Sequence, residues 1–360
     1  MLQSILVYYC TTLLMMGLVL IPRRTSFKVF GFSISTLIAL LLFAVVCGVR
    51  YGVGMDYFSY LKIFTYNNTD RLEPGFAWVV STLHNMGLHY SWFFGTVAFL
   101  QMFFVFQRFK NDKWLLAFIV FAFMSIQYLS WMNGLRQIIS VAIFIYAIEF
   151  IRKREWLKYY LCVLLAFLFH KSAILLALVY PLFVGEWYKK EWSVKLQVVG
   201  VVTSLFLGNL MMSIQNAVFG ALNNYLVMLE YDHYSEYEHM GDSTKGLGFY
   251  LMFFLVLMAI RYNNKMKLEF RETSFSIFYS LFYLGYIYGN LVIGSIVLAR
   301  PNYYFVGLNF IVIGYLMKYL WGKRLFIPLS LVMITLLLLL FAMIWRGDTG
   351  TGTYYFFWQK

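Results

Sequence analysis

Long apolar runs separated by short charged loops recur along most of this chain, and no other feature constrains its fold as strongly. Only 12% of the residues are charged and 62% are hydrophobic. A water-soluble domain has about 25% charged and about 45–50% apolar residues, so this chain lacks the polar side chains that a water-facing surface needs. We therefore expect an all-α, polytopic integral membrane protein that forms a single domain over residues 1–360.

Twelve runs are apolar enough to serve as transmembrane helices, and the shorter runs set a range of ten to fourteen. They cover residues 3–21, 29–49, 91–107, 114–131, 138–151, 155–169, 172–185, 196–219, 248–261, 273–298, 303–317 and 325–345. Residues 73–90 are a further candidate, but His84, Asn85 and His89 make this segment unsuited to contact with lipid.

Lys and Arg cluster in every second loop of this arrangement, and the alternation sets the predicted orientation. The clusters are Arg23, Arg24 and Lys28; Arg108, Lys110 and Lys113; Arg152, Lys153, Arg154 and Lys158; Lys189, Lys190 and Lys195; Arg261, Lys265, Lys267 and Arg271; and Lys318, Lys323 and Arg324. Because cytoplasmic loops are rich in Lys and Arg, we expect these loops to be cytoplasmic and both termini to be extracytoplasmic. A span at 73–90 would break the alternation, so this segment is predicted to be re-entrant or to lie along the surface.

Polar side chains from several separate segments meet on the predicted outer face, to which the loops at 50–90 and 221–247 contribute. Such groups at the ends of spans are costly unless they serve a function. They are Arg50, Asp56, Glu73, Asn133, Arg136, Gln137, His170 and Arg300, with Tyr57 and Tyr303 beside them. Arginine forks suit phosphate oxygens, so three arginines on one face would suit a ligand with two phosphates. The alternative is that each arginine snorkels to lipid headgroups and that His170 is a hydrogen-bonded helix end.

Several classes of site and partner are not indicated. Cys10, Cys47 and Cys162 lie in apolar stretches without a CxxC partner, and the chain has no HExxH motif, so neither a metal site nor any cofactor is predicted. The net charge of +13 is spread over short loops rather than along a stripe, which argues against nucleic acid as a partner.

Five short motifs occur in an order and spacing that resemble the EpsG family of Wzy-type bacterial polysaccharide polymerases. They are RYGVGMDYFSY at 50–60, EPGF at 73–76, NGLRQ at 133–137, RKREW at 152–156 and LAFLFHKSA at 165–173. The resemblance covers residues 45–185 well. Beyond them, only Arg300 and the tyrosines that follow it suggest a match.

The resemblance implies a glycosyltransferase of the bacterial cytoplasmic membrane with a multi-helix, GT-C-like bundle and re-entrant or amphipathic outer segments. It would join oligosaccharide repeat units carried on undecaprenyl diphosphate at the outer face of that membrane, without a metal or another cofactor. The growing glycan would move from its lipid carrier to the non-reducing end of a new lipid-linked unit. Its partners would be this lipid-linked donor and acceptor, membrane lipid and, in some systems, a chain-length regulator.

Roles follow for the residues of the outer face under this interpretation. Arg50, Arg136 and Arg300 would bind the donor diphosphate, and His170 or Asp56 would activate or orient the acceptor hydroxyl. The residues expected to position the substrate are Glu73, Asn133, Gln137, Tyr57 and Tyr303.

Two other functions stay open from the sequence. A flippase or transporter for lipid-linked oligosaccharides would need charged groups along a path to both faces. A membrane O-acyltransferase of glycans would use a histidine near the membrane but would not require several outer arginines. The related O-antigen ligases carry a larger outer loop than 221–247, and a non-catalytic scaffold would leave the arginines unexplained.

Overall fold

A computed structural model describes residues 1–22, 27–208, 210, 246–292, 299–346 and 352–359, and its architecture over these ranges is helical. Within them, extended pairing is confined to two isolated bridges, Val29 with Phe32 and Arg50 with Phe356. The predicted all-α class is confirmed for this part of the chain. Arg23, Arg24 and the acidic residues of the loop at 221–247 lie outside the described residues.

Eight helices form the first part of the described chain. They are α1 (Leu2–Leu20), α2 (Ile34–Gly48), α3 (Tyr57–Thr65), α4 (Pro74–Asn85), α5 (Tyr90–Phe109), α6 (Lys113–Ile126), α7 (Tyr128–Trp131) and α8 (Leu135–Arg152). The later helices are α9 (Trp156–Phe167), α10 (Val179–Val184), α11 (Val194–Gly208), α12 (Leu247–Glu269), α13 (Phe275–Leu291), α14 (Tyr303–Val306), α15 (Asn309–Gly322) and α16 (Phe326–Arg346). Short 3₁₀ segments cover Lys171–Leu178, Trp187–Lys189, Arg300–Asn302 and Phe357–Gln359.

Five segments of the described chain are long and apolar enough to cross a membrane. They are α1, α5, α12, the stretch Arg300–Gly322 and Phe326–Trp345 of α16. Other predicted runs became shorter apolar helices, among them α2 with 15 residues, α6 with 14 and α9 with 12. The helices therefore lie where the apolar runs predict them, whereas the count of twelve spans and the GT-C likeness remain predictions.

Two segments show local reasons for their bounds. The run predicted at 29–49 becomes helical only at Ile34, because the Ser33 hydroxyl accepts a hydrogen bond from the Thr36 amide and so caps α2. Helix α4 has 12 residues, or roughly 18 Å at 1.5 Å per residue, against a hydrocarbon core of about 30 Å. A straight helix of this length is shorter than the hydrocarbon core, as is α9 with the same number of residues, and the re-entrant or surface-lying position stays a prediction.

Helix α8 runs through the middle of the bundle, where it packs on α5 and α9 and buries most of its length. Helix α5 packs in turn on α2, and α6 packs on α1 and α15. A buried helix fixed by neighbours on several sides holds its two ends at defined positions. The first turn of α8 carries Arg136 and Gln137, two of the polar residues singled out by the sequence.

Basic residues from separate loops collect at the other end of α8. Arg108 and Arg152 both pair with Glu149, and the Arg108 contact measures 2.8 Å. Lys318 pairs with Asp112 in the same region of the bundle. Three of the loops that were predicted to share one side of the membrane, at 108–113, 152–158 and 318–324, therefore meet at the end of the bundle opposite the first turn of α8.

Candidate active site

The loop at residues 50–56 docks on the start of α8 through backbone and side-chain hydrogen bonds. The amide of Gly134 donates to Oδ2 of Asp56 at 2.9 Å, and the amide of Asp56 lies 3.4 Å from Oδ1 of Asn133. Gly134 has no side chain with which to cap α8, so Asp56 supplies the acceptor from another segment. Gly54 has φ +109°, and a Cβ there would lie 2.8 Å from the Asn133 oxygen. The docked loop thus requires glycine at this position.

Glu73 contacts residues from two other segments of the site. Its residue is only 5% exposed, and its carboxylate Oε2 accepts a hydrogen bond from Nη1 of Arg136 at 2.7 Å. Its other oxygen, Oε1, accepts from the Lys171 amide at 3.3 Å and lies 3.3 Å from Nδ1 of His170. One carboxylate therefore holds a guanidinium from α8 and an imidazole from the end of α9 next to each other.

The local fold explains why Glu73 reaches both partners. Glu73 is the residue before Pro74, which starts α4, and the amide of Gly75 donates to the Leu168 carbonyl at 2.8 Å. This contact places the first turn of α4 directly against the end of α9. A Cβ on Gly75 would lie 2.9 Å from that carbonyl oxygen, so the approach requires glycine.

The pKa of Glu73 is lowered to about 2. Burial by itself would raise it, but the contact with His170 and the positive charge of Arg136 stabilise the carboxylate more than burial disfavours it. Glu73 is therefore a permanent anion at neutral pH and is not suited to exchange protons. Its chemistry is to hold the Arg136 guanidinium and to orient the His170 imidazole.

Arg136 keeps one side of its guanidinium free of Glu73. The side chain is 30% exposed, and Tyr60 lies beside it. Its Nε is buried and has no hydrogen-bond partner among the described residues. A guanidinium that is held by one edge and stays partly exposed is suited to bind an additional anion through its exposed donors.

His170 stands where α9 has ended and the 3₁₀ segment Lys171–Leu178 begins. Its side chain is 23% exposed, and the contact from Nδ1 to Glu73 is an ion-pair approach rather than a well-formed hydrogen bond. The Nε2 edge of the ring is directed away from that carboxylate. An imidazole fixed in this manner presents one nitrogen to a ligand.

A small hydroxyl cluster lies behind the site and was not assigned from the sequence. The hydroxyl of Tyr304, which is 1% exposed, lies 3.0 Å from Oγ of Ser172. Ser140 of α8 donates to the Ala166 carbonyl at 2.8 Å. Tyr303 and Tyr304 are adjacent in the sequence, and no local pattern indicates which of the two faces inward.

The segment at Arg300 lies next to the first turn of α8. Nε2 of Gln137 donates to the Arg300 carbonyl at 2.8 Å, so this segment is adjacent to Arg136. The Arg300 side chain is exposed, and Tyr303 is 45% exposed. Two of the three predicted arginines therefore come from neighbouring positions of the fold.

Arg50 and Tyr57 face the protein interior instead. Arg50 is 2% exposed, its Nη2 donates to the Met132 carbonyl at 3.1 Å, and its guanidinium lies 5.1 Å from the centre of the Phe94 ring. Tyr57 is fully buried and stacks on Phe94 at 4.6 Å. Its hydroxyl donates to the Arg50 carbonyl at 3.2 Å. Both residues lie beneath the docked loop rather than on its open side.

The described residues hold no group of three His, Cys, Asp or Glu side chains that could bind a metal ion. The site thus contains a buried carboxylate, two partly exposed or exposed arginines, one imidazole and amide side chains. Such a set can bind an anionic group and can accept or donate a proton at the imidazole.

Comparisons with known proteins give one match. The family model described as the EpsG family matches residues 33–358. Neither a curated protein nor a solved structure matches the chain. The matched range includes the whole of the candidate site and extends well beyond the motifs that carry the resemblance in the sequence.

Proposed function

Because this chain belongs to the EpsG family, we propose that it polymerises oligosaccharide repeat units carried on undecaprenyl diphosphate at the outer face of the bacterial cytoplasmic membrane. The family relation and the apolar helices together indicate a membrane protein of polysaccharide biosynthesis. The finer proposal concerns the donor, the direction of transfer and the residues that act.

The observation that carries the proposal is the grouping of Arg136 and His170 on the single carboxylate of Glu73. A transfer from a lipid diphosphate needs a cation at the leaving group and a base at the acceptor hydroxyl, close to each other. The Glu73 carboxylate supplies this arrangement from three segments, and the Arg300 backbone, held by Gln137, brings a second exposed cation to the same end of α8. Asn133 and Gln137 offer amide groups to the sugar or phosphate.

The reaction proceeds by displacement at the anomeric carbon of the donor sugar. The acceptor hydroxyl oxygen forms a bond to that carbon while its proton passes to His170. The bond from the carbon to the diphosphate oxygen breaks, and undecaprenyl diphosphate leaves with the electron pair. Arg136 and Arg300 stabilise the negative charge that develops on the leaving oxygen, and Glu73 stabilises the protonated imidazole.

Arg50 contributes positive charge from below the loop. Among the described residues it has no carboxylate partner within ion-pair distance, and its Nε is unsatisfied. A buried cation without a counter-ion favours the approach of an anion. We propose that the positive charge of Arg50 stabilises the bound diphosphate. Asp56 fixes the loop against the start of α8 through its hydrogen bond with the Gly134 amide.

An apolar groove between α2 and α5 is the proposed location of the prenyl tail. It encloses about 360 Å³ and begins at Val49, the residue before Arg50, and at Ser91. The residues that line it further are Leu41, Ala44, Val45, Gly48, Trp92, Gly95, Thr96 and Phe99. Its position next to the loop would let a lipid carrier keep its tail in the bilayer while its diphosphate meets the site.

A transporter is less well supported by the structure of α8. Between Ser140 and Glu149 the buried side chains of this helix are all apolar, from Val141 to Ile148. No polar path therefore follows this helix from the Glu73 site to the charged cluster at its other end.

The test is a reconstituted reaction. The purified protein in nanodiscs is incubated with a defined undecaprenyl-diphosphate-linked repeat unit, and a ladder of products supports the proposal. Arg136→Ala should abolish the ladder, whereas the control Arg154→Ala, which removes a 62% exposed arginine paired with Glu186, should preserve it. In a parallel reconstitution in liposomes, movement of the unit across the bilayer without a ladder would identify a transporter. Equal ladders from both variants would contradict the donor-site assignment.

A further inference from the structure

The last described segment, residues 352–359, pairs with the segment that leads into the Arg50 loop. We call it the C-terminal strap. The amide of Tyr51 donates to the Tyr355 carbonyl at 2.8 Å, and the amide of Phe357 donates to the Val49 carbonyl at 2.9 Å. These two bonds form a short antiparallel pairing between parts of the chain that are remote in sequence.

The strap is anchored to the helices on both sides of this pairing. Tyr354 is 1% exposed, and its hydroxyl donates to the Val46 carbonyl near the end of α2. Its amide donates to Oγ of Ser4 in α1 at 2.8 Å. Nε2 of Gln3 donates to Oε1 of Gln359 at 2.8 Å. The strap is thus bound to α1 and α2 at the same time as it holds the backbone between them.

Rings add further contacts along the strap. Phe356 stacks on Trp358 at 4.5 Å, and Phe357 lies 4.9 Å from the ring of His89 at the start of α5. Tyr354 also meets Tyr8 of α1 edge to face at 5.7 Å. Contacts with three helices give the strap a defined position rather than that of a loosely attached end.

A series of contacts connects the strap to the candidate site. It holds the backbone at Arg50 through the bridge with Phe356. Six residues further on, Asp56 accepts the hydrogen bond from Gly134. Arg136 follows two positions later in the first turn of α8. A displacement of the loop at its start would therefore shift the carboxylate that fixes the start of α8.

We propose that the C-terminal strap positions the Arg50 loop for donor binding, with Tyr354 as its positioning residue. The inference rests on the proposed function for its effect on the reaction, but its hold on the loop is independent of the substrate. Without the strap, residues 49–51 would lose two backbone hydrogen bonds, and the loop would sample other conformations. The donor would then have to order the loop on binding, which weakens its affinity more than it slows the transfer step.

The experiment compares backbone and side-chain changes at one position of the strap. Phe357→Pro removes the amide that donates to Val49, whereas Phe357→Leu keeps it and serves as the matched control. Tyr354→Phe is a milder second variant that removes only the hydroxyl bond to Val46. Each protein is placed in nanodiscs, and both hydrogen exchange of the peptide at 49–57 and the kinetics with the lipid-linked donor are measured.

Phe357→Pro should increase amide exchange at Tyr51 and raise the donor KM about tenfold, with a smaller change in kcat. Tyr354→Phe should change both quantities in the same direction by about threefold to fivefold, and Phe357→Leu, which keeps the amide but loses ring contacts such as that with His89, should change both less than Tyr354→Phe does. Unchanged exchange at 49–57 in both Phe357→Pro and Tyr354→Phe would overturn the proposal, and so would increased exchange with an unchanged KM. If the wild-type protein makes no ladder, the proposed function fails, and the exchange comparison alone then supports or overturns the hold of the strap on the loop.

Discussion

Replacing Glu73 by glutamine removes one negative charge while it keeps the shape of the side chain. The residue is 5% exposed and contacts Arg136, His170 and the Lys171 amide. Burial opposes ionisation, yet its partners bring the pKa from 4.5 to about 2, a shift that corresponds to roughly 3 kcal/mol. Glu73→Gln should therefore lose about 2–3 kcal/mol of unfolding free energy at neutral pH.

The sign of the pH dependence follows from the lowered pKa. The carboxylate contributes its stabilisation fully above about pH 4.5, and this contribution is lost as the pH falls through 4.5 toward 2. The difference in stability between the wild type and Glu73→Gln should therefore be largest at neutral pH and shrink in acid. Thermal unfolding in detergent at a series of pH values measures it.

Glu73→Gln should also slow the formation of the polymer ladder. If the Glu73 contacts serve to hold Arg136 and His170 together, loss of roughly 3 kcal/mol of that interaction corresponds to about a hundredfold slower ladder formation. Glu155→Gln is the control, because Glu155 pairs with Lys158 on the surface of the bundle and such pairs contribute only about 0–1 kcal/mol. A Glu73→Gln protein with wild-type activity and a pH-independent stability difference would refute the reasoning.

Three further outcomes are expected. His170→Gln should slow polymer formation by about 10²–10⁴-fold on the same ladder, and a wild-type rate would exclude it as the base. Gly54→Ala should destabilise the protein by about 1–3 kcal/mol in thermal unfolding, because φ is +109° and its Cβ would meet Asn133. Gly87→Ala has a positive φ but open space, so it should cost less, and an equal loss would contradict the docking argument. Thr96→Trp should fill the groove between α2 and α5 and raise the KM of long-prenyl donors while leaving short-prenyl donors unaffected, and an equal effect on both would place the tail elsewhere.

The positions of the helices could be predicted because they depend on local properties of the sequence. Within the described residues, each apolar run contains one or two helices, and Gly and Pro residues near their ends mark several boundaries. The sequence also separated the polar residues into two groups. Three loops rich in Lys and Arg meet at one end of α8, and residues from four of the five motifs meet at the other.

The partners within the site could not be predicted from the sequence. Glu73 was expected to position the substrate, and its partners were not foreseen: Arg136 lies 63 positions away and the Lys171 amide 98 positions away. Arg50 was expected beside the other arginines on the outer face, but it lies buried under the loop against Phe94. Nothing in the apolar character of residues 352–359 indicates that they pair with residues 49–51.

The difference has a physical origin. Whether a segment enters a lipid bilayer depends on its own apolar residues, and its orientation depends on the basic residues beside it. Both properties can be read from the segment alone. The formation of an ion pair, or the pairing of the C-terminal strap, depends on which helix faces pack together. It also depends on the position along each helix axis at which they meet. Those choices are made by the packing of the whole bundle, so only the tertiary structure decides which carboxylate meets which cation.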